Sequence, residues 1–135
     1  MLSWLNIIFS QPFYGRQKRL SKSRKANSKK EFFESFERVG IEKEAASLVW
    51  NALMNEAVFD GFLPAPDDDL LYTYGIVDDD LDELVIELLN QYKCKLPLSS
   101  DIEKMSPVRT VYDLVCFLSE IKKRNMTELG SIGSK

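Results

Sequence analysis

The sequence predicts an all-α protein. Apolar residues recur at helical spacing in several separate segments, and residues typical of helix N-termini precede those segments. No segment of weight shows the alternating pattern of a β-strand. The chain of 135 residues is long enough for one domain with a single core. We expect an apolar and basic N-terminal arm over residues 1–28, a helical domain over 29–125 and a flexible tail over 126–135.

The N-terminal arm is apolar first and basic afterwards. Residues 1–30 hold eight of the 18 bases and no acid, so the remainder has 10 bases against 21 acids, a net of −11. The apolar part is too short to cross a bilayer, which needs about 20 residues, and it lacks the order of a secretory signal. Three interpretations stay open: an arm folded back on the acidic domain, an interfacial membrane anchor, and, as the least favoured because no folded basic face is evident, a contact of Arg16–Lys30 with nucleic acid. The anchor would use Trp4, Ile7, Ile8, Phe9, Arg16, Lys18 and Arg19.

The first predicted helix of the domain runs from Lys29 to about Val39. Ser28 and Glu31 fit a capping box at its start, and Gly40 is suited to the position after its end. Three phenylalanines share this short helix, which predicts either burial against the domain or an aromatic face for a partner. These are Phe32, Phe33 and Phe36.

The second predicted helix spans Glu42 to about Phe59, and a long loop follows it. Its inward stripe is expected to hold Ala46, Val49, Trp50, Leu53, Met54 and Ala57. The sequence DGFLPAP over residues 60–66 contains a glycine and two prolines, which end the helix. From Glu44 to Tyr92 the chain has no lysine or arginine. An acidic domain of this kind repels nucleic acid and favours a basic partner.

The third predicted helix begins at an acidic cluster after Gly75. Asp78 is predicted as its N-cap, and further carboxylates fill the first turn, where the helix dipole favours negative charge. An apolar stripe follows at helical spacing and predicts one buried face. The stripe consists of Leu81, Leu84, Val85, Leu88, Leu89 and Tyr92.

A short helix over Ser99–Met105, ended by Pro107, and a longer final helix complete the prediction. Thr110 and Asp113 form a capping-box pattern at the start of the final helix. The inward residues of that helix are expected to be Val111, Leu114, Val115, Leu118 and Ile121.

No metal, cofactor or catalytic site is predicted. The chain has no histidine, which removes the commonest nucleophilic and metal-binding arrangements. Its two cysteines, Cys94 and Cys116, are far apart and are expected to be reduced, as in a cytoplasmic protein. Residues 67–69 are all aspartate, but the sixth position of an EF-hand counted from Asp67 is Tyr72 instead of glycine. We interpret this triplet as solvated loop and capping carboxylates.

The segment from Gly75 to Val85, GIVDDDLDELV, resembles the acyl carrier proteins. Their pattern runs approximately G-x-D-S-L-D-x-x-E-L-V, and its serine carries the phosphopantetheine arm. Asp78 stands at the position of that serine, and a carboxylate cannot accept the arm as a hydroxyl does. The segment is closer to the DUF1493 family of acyl-carrier-like bacterial proteins, whose pattern runs near GI-D-G-D-D-A-E-E-L-L.

The resemblance extends over about Lys43–Lys122, because the family also closes with a helix similar to TVYDLVCFL. It implies a four-helix acyl-carrier-protein-like bundle, here with an extra N-terminal helix and the apolar and basic arm. Carrier proteins present an acidic second helix to basic patches on their enzymes. We therefore expect a non-enzymatic interaction module that binds a basic protein through Asp78, Asp79, Asp80, Asp82, Glu83 and Glu87.

An alternative function is an immunity or inhibitor protein that neutralises a basic, nuclease-type bacterial toxin through the same acidic face. For either function we expect a cytoplasmic protein, peripheral to the inner membrane if the arm is an anchor. The sequence does not determine the oligomeric state.

Overall fold

The computed structural model describes residues 4–24, 29–59, 61–97 and 107–133, with the side chains of residues 4–11, 23 and 127–133 left out. Within these ranges the chain forms helices and no β-strand, which confirms the all-α prediction. The described helices are α1 (Trp4–Ser23), α2 (Lys29–Glu37), α3 (Lys43–Glu56), α4 (Leu70–Tyr74), α5 (Asp78–Gln91) and α6 (Val111–Gly133).

The aromatic residues of α2 are part of the core. Phe32 and Phe36 are each only 1% exposed, and the ring of Phe32 meets the Trp50 ring edge-on at 5.0 Å. After α2 the chain turns at Gly40, whose φ of 78° is in the left-handed region that glycine favours. The prediction that this helix packs on the domain is confirmed for both phenylalanines. Ser28, the predicted N-cap, lies outside the described residues.

Helix α3 ends at Glu56, earlier than the predicted end near Phe59. Ala57 is extended, and the next two backbone N–H groups, those of Val58 and Phe59, donate to Oε1 of Gln17 at 2.9 and 3.0 Å. This side chain replaces the helical acceptors, so the chain leaves the helix before the glycine and prolines. Met54, which was predicted to be buried, is 37% exposed.

Helix α4 lies inside the segment that was predicted to be a loop. The carboxylate of Asp69 caps it by accepting the N–H of Tyr72 at 2.7 Å, and Gly75 ends it with a φ of 74°. Backbone bonds join the start of α4 to the start of α6: the Leu70 N–H donates to the Arg109 carbonyl, and the Val111 N–H to the Asp68 carbonyl, both at 2.9 Å.

Helix α5 begins at Asp78, so the prediction that Asp78 is the N-cap is wrong by one residue. Val77 holds the cap position with an extended backbone, and its carbonyl accepts the N–H of Leu81 at 2.8 Å. The three residues Asp78–Asp80 therefore form the first turn. The predicted apolar stripe is buried at Leu88, Leu89 and Tyr92 and half-buried at Leu81, Leu84 and Val85.

Helix α6 starts with the predicted capping box. The Asp113 N–H donates to Oγ1 of Thr110 at 3.1 Å, and Oδ2 of Asp113 accepts the Thr110 N–H at 3.1 Å. The helix continues to Gly133, through most of the segment that was expected to be a flexible tail. All five predicted inward residues of α6 are at most 1% exposed. The predicted short helix Ser99–Met105 lies outside the described residues.

Most of the residues expected to form the arm belong to helix α1, which contains Pro12 and contacts α4. Its 20 residues extend to Ser23, so the helix includes most of the basic part of the predicted arm. No helix among residues 4–24, 29–59, 61–97 and 107–133 combines the length and apolar character that crossing a membrane requires. The core lies mainly between α2, α3, α5 and α6.

Candidate interaction surface

The six predicted acidic contact residues of α5 are all exposed, but they lie on different sides of the helix. Asp80, Glu83 and Glu87 line a groove of about 300 Å³ beside α3. Asp82 lies on the opposite side, next to an apolar groove shared with α6. Asp78 and Asp79 are in the first turn, where they meet the positive end of the helix dipole.

The α3–α5 groove also contains Glu56, a carboxylate that the sequence analysis missed. The pKa of Glu56 is raised above its ordinary value, first by burial and then by the carboxylates of Asp80 and Glu87. A signal was available in the sequence, because Glu56 follows the inward residue Leu53 by three positions and so lies near the inner face of α3. Four carboxylates from two helices thus share one groove.

These carboxylates have no cationic partner among the described residues. Asp68, Glu34 and Glu120 do form ion pairs with bases, and none of these three carboxylates belongs to the groove. Glu87 accepts one hydrogen bond from the neutral amide of Gln91 at 3.3 Å. The groove therefore concentrates negative charge that its own domain leaves uncompensated, and like charges held together favour the approach of a cation.

The three aspartates of residues 67–69 have three different environments. Asp67 is exposed, Asp69 caps α4, and Asp68 is only 4% exposed. The Asp68 carboxylate pairs with Arg24 and accepts the Tyr74 hydroxyl at 2.8 Å and the Ala65 N–H at 2.9 Å. The expectation that this triplet is solvated is therefore wrong for Asp68, because the position of Arg24 could not be seen in the sequence.

The contacts of Asp68 also affect Tyr74, whose pKa is raised well above its ordinary value, first by burial and then by the Asp68 carboxylate.

Among the described residues, no three cysteine, aspartate or glutamate side chains are grouped so that they could hold a metal ion.

Helix α1 is attached to the domain beside the segment that contains Asp68 and Tyr74. The side chain of Gln17 is fully buried, accepts the Val58 and Phe59 N–H groups, and donates to the Thr73 carbonyl at 2.9 Å. Arg24 pairs with Asp68 and donates to the Leu63 carbonyl at 2.9 Å. These polar contacts hold α1 against the segment that leads from α3 to α4.

The residues predicted for a membrane contact are divided between the two faces of α1. Arg16 is directed toward the domain, since its guanidinium donates to the Tyr72 carbonyl at 2.9 Å and lies 4.1 Å from the centre of the Tyr72 ring. Lys18 and Arg19 are exposed. The backbone of Trp4, Ile7, Ile8 and Phe9 belongs to α1, and their side chains lie outside the described part.

An apolar groove of about 500 Å³ lies between α5 and α6, lined among others by Val85, Ile86 and Phe117. Its border includes Pro97 and Pro107, which flank residues outside the described ranges.

Both cysteines, Cys94 and Cys116, are free, and burial is the main cause that raises the pKa of each thiol. Raised pKa values disfavour the nucleophilic thiolate.

Comparison with protein-family models, with curated proteins and with solved structures found no match.

Proposed function

We propose that this protein is a non-enzymatic interaction module that binds a basic protein through the acidic surface of α5. The observation that carries the proposal is the α3–α5 groove, where Glu56, Asp80, Glu83 and Glu87 lie together without a cation from the described residues. A lysine or arginine of a partner would supply the missing charge. Surface electrostatics of this kind mainly accelerates and orients association.

The resemblance to acyl carrier proteins supports the same surface as the docking face, with one chemical difference. Asp78, at the position of the carrier serine, is exposed in the first turn of α5. Its carboxylate lacks the hydroxyl that accepts the phosphopantetheine arm. The proposed module therefore keeps the acidic docking helix and carries no arm.

Intact-mass measurement after co-expression with a phosphopantetheinyl transferase tests the proposal that the protein carries no phosphopantetheine arm. We expect the unmodified mass, and an Asp78→Ser variant measured in parallel shows whether the transferase accepts the site once a hydroxyl is present. An added arm on the wild-type protein would contradict a module without an arm.

A pull-down from native cells with chemical cross-linking tests the proposal that a basic protein binds the acidic surface of α5. We expect a basic protein to bind the wild type and to be lost from an Asp79→Lys/Asp80→Lys/Glu83→Lys variant. The matched control is Glu37→Lys/Glu44→Lys/Asp67→Lys, which changes the net charge equally at exposed residues outside the first turns of α5. Equal capture by both variants would contradict the assignment of the docking face to α5.

Inhibition of a cationic toxin is the second candidate function. It is favoured by the absence of lysine and arginine from Glu44 to Tyr92, a stretch that supplies both walls of the acidic groove. The identity of the captured protein separates the two functions. A basic metabolic enzyme supports the adaptor, whereas a nuclease domain whose activity is blocked by the wild type and restored by the α5 variant supports the inhibitor.

A further inference from the structure

Helix α1 has an inner face that is fully engaged with the rest of the domain. Phe13, Gln17, Leu20 and Arg24 follow the spacing of one helical face. The ring of Phe13 lies against Gly75, Gln17 makes three hydrogen bonds, Leu20 packs against the core and Arg24 pairs with Asp68. The helix is thus held by polar and apolar contacts together, and releasing it would leave buried polar groups without partners.

The opposite face of α1 is basic and unpaired. Lys18, Arg19 and Lys22 are exposed, and none of them contacts a carboxylate of the described residues. Tyr14 lies between the two faces: it is 44% exposed, and its ring packs edge-on against the Phe59 ring at 5.3 Å. Because the inner face fixes the helix, these three cations are presented in a constant direction, away from the domain.

We propose that this outer face of α1 binds an anionic lipid surface while its inner face remains docked on the domain. Three cations of one face match the negative potential of a bilayer, which attracts each nearby lysine or arginine by about fivefold in affinity. The first part of α1 is rich in apolar residues, and an apolar contribution beside a basic patch is what interfacial binding requires.

Nucleic acid is the other polyanion that such a face could attract, and the charge of the whole chain disfavours it. The chain outside residues 1–30 has 10 bases against 21 acids, so a polyanion that wraps the protein would be repelled from most of its surface. A bilayer is planar, so it contacts one side of the protein and does not have to wrap around the acidic remainder of the chain.

Vesicle flotation of the full-length protein tests the proposal. We expect binding to vesicles of phosphatidylcholine with 30% phosphatidylglycerol, and much weaker binding to phosphatidylcholine alone. The variant Lys18→Glu/Arg19→Glu/Lys22→Glu should lose affinity by about a hundredfold or more. The control Arg38→Glu/Lys43→Glu/Lys95→Glu reverses three exposed bases elsewhere with the same change in net charge and should bind as the wild type does.

Urea unfolding of both variants verifies that they are folded before their lipid affinities are compared. Absence of binding to the anionic vesicles, or an equal loss in both folded variants, would overturn the proposal. Binding to RNA or DNA that depends on these three bases, without lipid binding, would identify the face as a nucleic-acid surface and overturn it as well.

Hydrogen exchange on the vesicles tests whether α1 stays docked. The Val58 and Phe59 N–H groups donate to Gln17, so they should remain protected in the lipid-bound protein. Rapid exchange of both groups on the vesicles would show that α1 is released, which contradicts the docked arrangement.

Discussion

Gln17 is the polar residue that most directly joins α1 to the domain. Its side chain is fully buried and bonds two N–H groups and one carbonyl, so every strong bond it makes here is to backbone from another segment. A buried backbone group that loses its partner costs about 1–3 kcal/mol. The free energy of unfolding is therefore expected to fall when Gln17 is replaced by an apolar side chain of similar volume.

We predict that Gln17→Leu lowers the free energy of unfolding by about 2–4 kcal/mol, because three backbone groups lose their partner. Urea unfolding followed by circular dichroism measures it. Lys18→Leu, at the next and exposed position, is the control and should change stability by less than about 0.5 kcal/mol. Equal effects of the two substitutions would show that Gln17 does not join α1 to the domain.

Glu56 gives a prediction with a defined pH dependence. Its pKa is raised in the folded protein, so the folded state binds this proton more tightly than the unfolded chain does. Ionisation of Glu56 therefore costs stability. The cost is absent below the unfolded pKa near 4.5 and is fully present once the pH exceeds the raised folded-state pKa.

Glu56→Gln is thus expected to stabilise the protein at pH 7 and to have little effect below pH 4.5. We expect a gain of at most about 0.5 kcal/mol, because the side chain keeps partial contact with water. Thermal unfolding at both pH values measures it, with Glu37→Gln on α2 as the control. A loss of stability at pH 7 would contradict mutual repulsion in the groove.

At the scale of elements, the turn between α4 and α5 is one of the places where the domain contacts α1. Gly75 has a φ of 74°, and a Cβ atom placed there would lie 2.9 Å from ring atoms of Phe13. Gly61 has a φ of 84° but nothing within 4 Å of such an atom. The two glycines therefore share the backbone requirement and differ in the contact with α1.

We predict that Gly61→Ala costs about 1–2 kcal/mol from the left-handed backbone alone. Gly75→Ala should cost about 1–3 kcal/mol more, because the methyl group must displace Phe13. Chemical denaturation measures both. When Phe13→Ala is also present, Gly75→Ala should cost no more than Gly61→Ala. If the additional loss of stability persists, contact with the Phe13 ring is not its cause.

The elements that the sequence predicted best are those with local signals. The Thr110–Asp113 capping box and the apolar spacing of α2 and α6 can be read from residues close together in the sequence, and the burial of Phe32, Phe36 and the α6 stripe is confirmed. Helix α4 was missed although its cap, Asp69, and its last turn, Gly75, are local signals, because it is only five residues long. The early end of α3 and the burial of Asp68 were not predicted because they depend on distant partners. Gln17 lies 41 residues from Val58, and Arg24 lies 44 from Asp68.

The candidate site was likewise predicted only in its local part. The acidic residues of α5 could be recognised from the sequence, but their division between two sides of the helix could not. Glu56 joins Asp80, Glu83 and Glu87 only because α3 and α5 lie side by side. Helical spacing relates residues within one helix and carries no information about which faces of two helices meet.

For the whole molecule, the separation of charge is the dominant feature. The outer face of α1 is basic, and the groove between α3 and α5 is acidic without an ion pair between the two among the described residues. Two surfaces of opposite charge are suited to partners of different charge. We propose an anionic lipid surface for the first and a basic protein for the second.

Site-specific photo-cross-linking in native cells tests the central claim, the acidic docking surface, most directly. A photoreactive residue at Glu83 should capture a basic protein, and the same residue at Glu37, exposed on α2, should not. The cross-link should weaken as the salt concentration of a cell extract rises, because exposed charges are screened. Capture of the same protein from both positions, or a Glu83 cross-link that is unaffected by Asp79→Lys/Asp80→Lys, would contradict docking through the acidic surface of α5.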